Sequence, residues 1–273
     1  MPEKPEVITV ARQLKTKVLN KRIKSVDVYW NNIIAFPNVE EFKKGLYGKE
    51  IKDIKTRGKF LVFDLGEYSL LVHLRMEGKL FFRKIKEEIG KHEHVVFTFE
   101  DDEQMRFHDV RKFGKMHLLK SSEIDKVKPL VDLGYEYDDK RLTKEYLYQK
   151  IHKKNIPIKT VLLDQSIITG IGNIYDDEIL FLSGISPYRE SCKVTLKECN
   201  YIIDNTKTIL DKAISLGGCT IRSFTSSEGV HGLFQNELYI HGKKDEECPK
   251  CKTRIEKVKI GGRGTYFCKN CQK

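Results

Sequence analysis

The sequence lacks any apolar run that approaches the length of a membrane span, and its N-terminus lacks the apolar core of a signal peptide. It has no internal repeat and no low-complexity segment. Its 273 residues, 40% hydrophobic and 33% charged, are typical of a soluble globular protein with room for two domains. We therefore expect a cytosolic protein.

Cysteine is scarce outside the C-terminus. Three scattered cysteines are expected to be reduced thiols: Cys192, Cys199 and Cys219. The other four form two CxxC pairs separated by sixteen residues: Cys248, Cys251, Cys268 and Cys271. This spacing predicts one tetrahedral zinc site, whereas nothing in the sequence indicates an oxidising compartment in which disulfides would form. Four thiolates leave no open position on the metal, so the zinc is expected to be structural.

The charge balance favours a polyanionic partner. The net charge is +11 and the pI about 9.1, and residues 243–273 carry ten Lys/Arg against four Asp/Glu. The intervening residues of the zinc site predict a hairpin with its turn at Gly261–Gly264. Arg263 would then lie at the tip, where DNA contact is favoured over a solvated loop arginine.

The first residues offer an unusual nucleophile. Removal of Met1 would expose the secondary amine of Pro2, followed at once by the carboxylate of Glu3. Amines attack aldehydes and masked aldehydes, and a neighbouring acid helps the leaving group depart. Proline followed by acids is also an ordinary helix start, and a helix is expected from Pro5. Its dipole would keep more of the amine neutral.

The remaining pattern divides the chain into a strand-rich and a helical half. Short β-branched or aromatic runs lie between Arg22 and Lys120 and predict an antiparallel sandwich or barrel: Ile23–Trp30, Phe60–Leu65, Leu70–Leu74, Val95–Phe99 and Met116–Leu119. Helical periodicity follows over Leu142–Lys153, Ile158–Leu163, Asn173–Leu182 and Leu196–Leu216. The boundary is expected near Pro129–Lys140.

A glycine turn leads into one of these helices at Gly170-Ile171-Gly172-Asn173. Its backbone N–H groups could bind an anion, although a plain helix cap has the same pattern. The turn lies between two apolar helices, with Lys153, Lys154 and Lys159 nearby. That combination favours a helix–two-turns–helix phosphate clamp.

Together these motifs resemble the formamidopyrimidine-DNA glycosylase family along essentially the whole chain. The matching segments are MPEKPEV, TRGKFL, HLRMEG, DVRKFG, GIGNIYDDE and the zinc ribbon with GGRGT. The resemblance implies an α+β multidomain fold. Its expected parts are an antiparallel β-sandwich with a leading helix (1–132), a helix-two-turns-helix domain (133–242) and a zinc-ribbon β-hairpin (243–273).

The resemblance also implies catalytic roles. Pro2 would attack C1′ of the damaged nucleotide, Glu3 would be the acid/base, and Lys59 would assist and bind a phosphate. Glu6 looks like a supporting acid in the same pocket. Arg263 joins the catalytic set, and with Asn173 would hold the phosphates that flank the lesion.

Further residues are implied to contact DNA: His92, Arg111, Lys159 and Asn173. Met76, Arg111 and Phe113 resemble the trio that fills the void left by an extruded base. By spacing alone, Met76 and Phe113 would be core residues, and His92 and His94 could equally be satisfied histidines. A loop over the extruded base is implied at residues 220–234. Its base-recognition candidates, with Glu77, are Thr220, Arg222, Ser223 and Phe224.

Lys4 departs from the family, in which leucine is usual at this position, and we expect it on the exposed side of its turn. The implied activity is excision of oxidised purines from duplex DNA by a Schiff base, followed by β,δ-elimination. An endonuclease VIII-like glycosylase for oxidised pyrimidines, or a non-catalytic zinc-dependent DNA-binding protein, stays open. The implied partner is duplex DNA with oxidised bases or abasic sites. A monomer in the bacterial cytoplasm, acting at the nucleoid, is expected.

Overall fold

The computed structural model describes residues 1–219 and 232–273. Their contacts divide into two units. The first unit is Met1–Val131 with the described residues of Cys219–Gly232, and the second is Asp132–Gly218 with Leu233–Lys273. In the described parts of the chain, no helix is long and apolar enough to cross a membrane.

The first unit begins with helix α1 (Lys4–Val18), one residue before the predicted start. Pro5 is tolerated there because amides of a first helical turn have no intrahelical acceptor. The predicted apolar stripe is buried: Val7, Val10, Ala11, Leu14 and Val18. This stripe joins the same core cluster as the strands that follow.

Nine strands follow within residues 19–131, and five of them cover most of the predicted apolar runs. They are β1 (Ile23–Val28), β2 (Ile34–Phe36), β3 (Asp53–Arg57), β4 (Phe60–Asp64), β5 (Tyr68–His73), β6 (Lys79–Lys84), β7 (Glu93–Phe99), β8 (Glu103–His108) and β9 (Lys115–Lys120). Helix α2 (Val39–Leu46), which the sequence pattern missed, lies between β2 and β3. Trp30, predicted within the first strand, lies beyond the end of β1.

The strands form two sheets, in the orders β1-β7-β8-β6 and β2-β9-β5-β4-β3. Neighbouring strands are antiparallel except β2 and β9, which are parallel. Phe97 of the first sheet, Phe63 of the second and Leu14 of α1 belong to one buried cluster. The predicted β-sandwich with a leading helix is confirmed.

The second unit contains four helices, each close to its predicted range: α3 (Lys144–Ile151), α4 (Ile158–Leu162), α5 (Asn173–Ser183) and α6 (Leu196–Ser215). Capping residues define two of these helix ends. Thr195 Oγ1 accepts the Glu198 N–H at 3.2 Å at the start of α6. Gly184, with φ at 69°, ends α5 in the left-handed conformation that glycine tolerates.

A β-hairpin near the C-terminus completes the second unit. Its strands are β10 (Glu256–Ile260) and β11 (Arg263–Phe267). Ile260 pairs with Arg263, so the turn is Gly261–Gly262 and is two residues shorter than predicted. Both glycines have positive φ, 53° and 79°, as a tight two-residue hairpin turn requires.

Candidate functional site

The first residues of the chain are buried and held by Glu6. Pro2 is buried, and Glu3 and Glu6 are only 3% and 5% exposed. Glu6 Oε2 accepts the Glu3 N–H at 2.8 Å, and Glu6 Oε1 accepts the Cys219 N–H at 2.8 Å. The Glu6 carboxylate therefore orders the backbone around Pro2 and Glu3, a positioning role beside the acid role expected from the sequence.

Four charged side chains of the first unit act on the N-terminal amine. Burial lowers the pKa of the Met1 amine, whereas the charges of Glu3 and Glu6 raise it. Lys59 lowers this pKa and Glu77 raises it, and the net change is downward. The first unit thus brings Glu3, Lys59 and Glu77 into electrostatic contact with the chain's first residues.

Lys59 lies at the tip of the β3–β4 hairpin. Arg57 and Phe60 form its last pair, so Gly58 and Lys59 make a two-residue turn. Gly58 has φ at 53°, a conformation that glycine adopts without steric cost. Lys59 is only 6% exposed, although lysine is rarely buried without a partner. The turn therefore holds the lysine inside the protein, where its charge acts on the N-terminal amine.

The prediction that Lys4 is exposed is wrong. Lys4 is 4% exposed, and its Nζ donates to Thr56 Oγ1 at 3.1 Å. Thr56 lies on β3, so the hydrogen bond joins the N-terminal turn to the hairpin that carries Lys59. The sequence could not show this acceptor because it lies 52 residues away along the chain.

His73 is a candidate residue that the sequence reading missed. Its Nδ1 accepts the Arg75 N–H at 3.0 Å, and its ring meets the Phe60 ring edge-on at 4.6 Å. Burial, with the charges of Arg75, Lys59 and His117, lowers the pKa of His73 to about 3. The imidazole is therefore neutral and carries its proton on Nε2. Its place in the HLRMEG segment was the available signal.

Met76 and Glu77 lie on the turn between β5 and β6, and both are half-buried. The Gly78 N–H closes this turn on the Leu74 oxygen at 2.9 Å. A Cβ at Gly78 would lie 2.5 Å from the same oxygen, so a side chain there would disrupt the turn. Met76 is therefore held at the edge of the unit and is not one of its buried core residues.

Arg111 and Phe113 project from the 109–114 loop, which is built around Asp109. The buried Asp109 carboxylate accepts the Arg111 N–H at 3.1 Å and the Gly114 N–H at 2.7 Å. A Cβ at Gly114 would lie 2.3 Å from the Phe107 ring. Phe113 is 49% exposed, and the Arg111 guanidinium lies 4.7 Å from its ring centroid. Phe113 is thus a surface residue, not the core residue that spacing alone suggests.

The two histidines left open by the sequence differ. His94 is buried, and its Nε2 is hydrogen-bonded to the backbone carbonyl oxygen of Asp109 at 2.9 Å. His92 is half-buried, with its ring 5.7 Å from that of His108. Its Nδ1 has no hydrogen-bond partner among residues 1–219 and 232–273. His94 is therefore the histidine whose ring is hydrogen-bonded within the protein, and His92 stays a candidate for phosphate contact.

Asn173 and Arg263 are neighbours in the second unit. Gln165 holds the glycine turn, because its Oε1 accepts the Gly170 N–H at 2.9 Å. Asn173 then begins α5, and its Nδ2 donates to the Gly264 oxygen at 2.9 Å. Arg263, the preceding residue, is exposed. The hydrogen bond therefore joins the Asn173 side-chain amide to the backbone next to Arg263.

Lys159 does not fit its predicted contact with DNA. Its side chain has no exposed surface, and its Nζ lies 2.6 Å from Asp177 Oδ1 and 3.4 Å from Asp176 Oδ2. Burial opposes the charge, but the two aspartates outweigh it and raise the pKa of Lys159. Nζ also donates to the Asn173 oxygen at 3.2 Å. This lysine supports the start of α5 from inside, and the prediction of a surface phosphate contact is corrected.

The four predicted metal ligands come together. The sulfur atoms of Cys248, Cys251, Cys268 and Cys271 all lie within 4.8 Å of one another. Cys248 and Cys271 Sγ are 3.8 Å apart, and Cys251 and Cys268 Sγ are 3.4 Å apart. Zn–S bonds of about 2.3 Å in a tetrahedron place sulfurs roughly 3.8 Å apart, so the cluster fits one zinc ion. The zinc prediction is confirmed.

The remaining base-recognition candidates, Thr220, Arg222, Ser223 and Phe224, lie outside the described residues. A cavity of about 900 Å³ in the first unit, lined by residues between Ala35 and Lys128, contains none of the predicted site residues in its wall. The candidate chemistry therefore lies at the N-terminal cluster, the 109–114 loop and the Asn173–Arg263 region.

Three family models match the chain in sequence order. A formamidopyrimidine-DNA glycosylase N-terminal domain matches residues 1–116. A formamidopyrimidine-DNA glycosylase H2TH domain matches residues 133–225, and a zinc finger found in FPG and IleRS matches residues 245–273.

Curated relatives and solved structures agree with these matches. A formamidopyrimidine-DNA glycosylase of Bacillus subtilis is 46% identical over 100% of this chain and 99% of its own. One of Oceanobacillus iheyensis is 45% identical, over 100% and 98%. A Lactococcus lactis FPG mutant bound to Fapy-dG DNA superposes with a TM-score of 0.93 at 37% identity, covering 100% of both chains. The L. lactis protein with abasic-site DNA gives 0.92 at 37% identity and covers 99% of both chains.

Proposed function

Because the chain belongs to the formamidopyrimidine-DNA glycosylase family, we propose that it excises formamidopyrimidines and 8-oxoguanine from duplex DNA and then cuts the strand. The observation that carries this proposal is the buried N-terminal cluster. Pro2 and Glu3 are buried beside the Glu6 carboxylate, and Lys59 and Glu77 act on the amine of the first residue. A non-catalytic DNA-binding protein would have no use for this arrangement.

Pro2 is the nucleophile of the proposed reaction once Met1 has been removed. Its nitrogen attacks C1′ of the damaged nucleotide, the C1′–N bond breaks with its electron pair leaving on the base, and the departing base takes up the proton that the amine loses. Glu3 supplies the proton that opens the sugar ring, which leaves an iminium ion between Pro2 and C1′. Burial and the Lys59 charge lower the pKa of the Met1 amine, and the same surroundings would favour the neutral, nucleophilic form of the Pro2 amine.

Strand cleavage follows from the iminium ion, which serves as the electron sink. Loss of a C2′ proton expels the 3′ phosphate, and loss of a C4′ proton then expels the 5′ phosphate. Water finally releases the sugar fragment from Pro2. Lys59 stabilises a nearby phosphate in this scheme. A neutral His73 with its proton on Nε2 is a suitable second donor.

Residues outside the N-terminal cluster hold the duplex open in the proposed reaction. Met76, Arg111 and Phe113 fill the void left by the extruded nucleotide, and the exposure of Phe113 supports this role. Asn173 and Arg263 bind backbone phosphates, and the hydrogen bond from Asn173 Nδ2 to the Gly264 carbonyl oxygen, next to Arg263, supports this role. One zinc ion in the four-thiolate site fixes the hairpin that carries Arg263 and takes no part in the reaction.

We further propose three domains, 1–132, 133–242 and 243–273, in line with the order of the family matches. The bacterial relatives support activity on nucleoid DNA in a bacterial cytoplasm. The protein is proposed to act as a monomer.

Borohydride trapping tests the enzyme directly. Reduction in the presence of an 8-oxoguanine:cytosine duplex should give a covalent protein–DNA adduct. The adduct should be absent when the N-terminal amine is acetylated and strongly diminished for Pro2→Gly. Undiminished adduct from the acetylated protein would remove Pro2 from its role.

Substrate competition separates purine from pyrimidine excision. We expect excision of 8-oxoguanine opposite cytosine to persist in the presence of equal thymine glycol duplex. A clear preference for thymine glycol would favour the endonuclease VIII-like alternative.

A further inference from the structure

Two large aromatic side chains are exposed side by side in the first unit. Tyr29 is 54% exposed, and Trp30, the chain's single tryptophan, is 36% exposed. Asn31 and Asn32, which follow, are exposed as well. Adjacent exposed aromatic and amide side chains are typical of a binding surface, because the rings give contact area and the amides give hydrogen bonds. We call these four residues the 29–32 segment.

Rigid structure holds the 29–32 segment at both ends. The Tyr29 N–H donates to the His94 oxygen at 2.8 Å, which continues the pairing of β1 with β7. The Ile33 N–H donates to the Trp30 oxygen at 3.2 Å, and the Ile33 side chain is fully buried. The exposed side chains are therefore presented by anchored backbone, which reduces the entropy lost on binding.

The segment is joined to the 109–114 loop that carries Arg111 and Phe113. Lys112 has φ at 57°, and its Nζ lies 3.9 Å from the Trp30 ring centroid. Lys115, just after the loop, donates from Nζ to the Asn32 oxygen. The loop therefore carries two cation–aromatic pairs, Arg111 with Phe113 and Lys112 with Trp30.

The chemistry of the segment fits one DNA strand. A small open cavity of about 250 Å³ is lined by Tyr29, Trp30, Asn31 and Asn32. Aromatic faces accept stacked bases or sugars, the amides reach polar base edges, and the adjoining lysines favour phosphate. On the proposed function, Arg111 and Phe113 face the base orphaned by extrusion, and the strand nearest them is the undamaged one.

We propose that the 29–32 segment binds the undamaged strand beside the orphaned base, with Trp30 as its stacking residue. This inference rests on the proposed function, because the function assigns the 109–114 loop to the orphaned base. It adds a second contact that the void-filling trio does not provide. Trp30 is thus a specificity residue for duplex over single-stranded DNA.

The single tryptophan makes the contact directly measurable. Trp30 emission in the wild-type protein should be strongly quenched by a duplex with a stable abasic analogue in one strand. The undamaged strand is shortened in two ways, so that it ends at the orphaned base either on its 5′ side or on its 3′ side. The quenching should largely disappear for one of these shortened duplexes and persist for the other. Equal quenching by the damaged strand alone, or by every shortened duplex, would overturn the proposal.

Variants give an independent readout of the same contact. Trp30→Ala should weaken duplex binding about five- to tenfold, as loss of one stacked base predicts. Trp30→Phe should restore most of the affinity, and Tyr47→Ala, at an exposed aromatic residue outside the segment, should leave it unchanged. Wild-type affinity of Trp30→Ala would also overturn the proposal.

Trapping separates this inference from the proposed function. The borohydride adduct reports the chemistry at Pro2, and the wild-type protein and Tyr47→Ala, the control outside the segment, should form it at equal rates. Loss of the adduct in the wild-type protein would contradict the proposed function, while the fluorescence and affinity results would still decide the contact of Trp30 with DNA.

Discussion

Burial determines the protonation state of individual side chains in the first unit. His73 shows this most clearly, because burial and the neighbouring charges of Arg75 and Lys59 lower its pKa to about 3 and keep its imidazole neutral. In the unfolded chain the pKa returns to about 6.5. As the pH falls below 6.5, the His73 imidazole is protonated in the unfolded state but not in the folded state. Stability is therefore lost from pH 6.5 downward towards pH 3.

This linkage predicts the behaviour of His73→Gln. Between pH 7.5 and pH 5 the wild-type free energy of unfolding should fall by about 2 kcal/mol more than that of the variant. Urea unfolding at several pH values measures both. The variant differs from the wild-type protein only at residue 73, so the difference between the two pH curves reports His73. Parallel pH curves would show that His73 is protonated in the folded protein.

The residue scale is also where sequence reasoning is weakest. Family motifs identified Pro2, Glu3 and Lys59 as candidates, and these residues are buried together in the first unit. Lys4 was expected on the exposed side of its turn and Lys159 was expected to contact DNA, yet both side chains are buried. Their partners, Thr56 and the aspartates of α5, are distant in sequence, and no local pattern predicts them.

At the scale of elements, the start of α5 depends on a buried charge cluster. Asp177 accepts hydrogen bonds from Lys159 Nζ at 2.6 Å, from His241 Nδ1 at 2.6 Å and from the Tyr266 N–H at 3.3 Å. Tyr266 lies on β11, which begins at Arg263. The cluster therefore ties α4 and α5 to the strand that begins at Arg263, which is proposed to bind phosphate.

Lys159→Met should be strongly destabilising, since it leaves two buried carboxylates without their cation. The expected loss is about 3–5 kcal/mol in the free energy of unfolding. Lys207→Met is the matched control, because the Lys207–Asp211 pair is exposed and its loss should have no measurable effect. Urea unfolding of both variants gives the comparison, and similar midpoints would refute the structural role of Lys159.

Element boundaries followed from the sequence where the apolar period was strong. All four helices of the second unit were predicted close to their observed ends, because buried residues recur at helical spacing and caps such as Thr195 and Gly184 mark the termini. Strands β3, β6 and β8 were missed because charged residues interrupt their apolar alternation, and the three-residue strand β2 was missed as well. The short helix α2 was also missed.

At the scale of the whole molecule, DNA binding is expected to require the zinc site. Cys248 lies in a small core with Phe181, Ile240 and Ile255, too few apolar residues to hold the hairpin without metal. Cys248→Ser should reduce duplex affinity by at least about tenfold while the first unit stays folded. Cys192→Ser, outside the cluster, is the control. Equal affinities of the two variants, by fluorescence anisotropy, would refute this dependence.

The central claim is that the Pro2 nitrogen forms the covalent bond to DNA. Its most direct test is mass spectrometry of the borohydride-trapped wild-type protein after digestion. We predict that the peptide beginning at Pro2 carries the reduced sugar on its N-terminal nitrogen. A sugar attached to Lys59, Lys4 or any other side chain would contradict it.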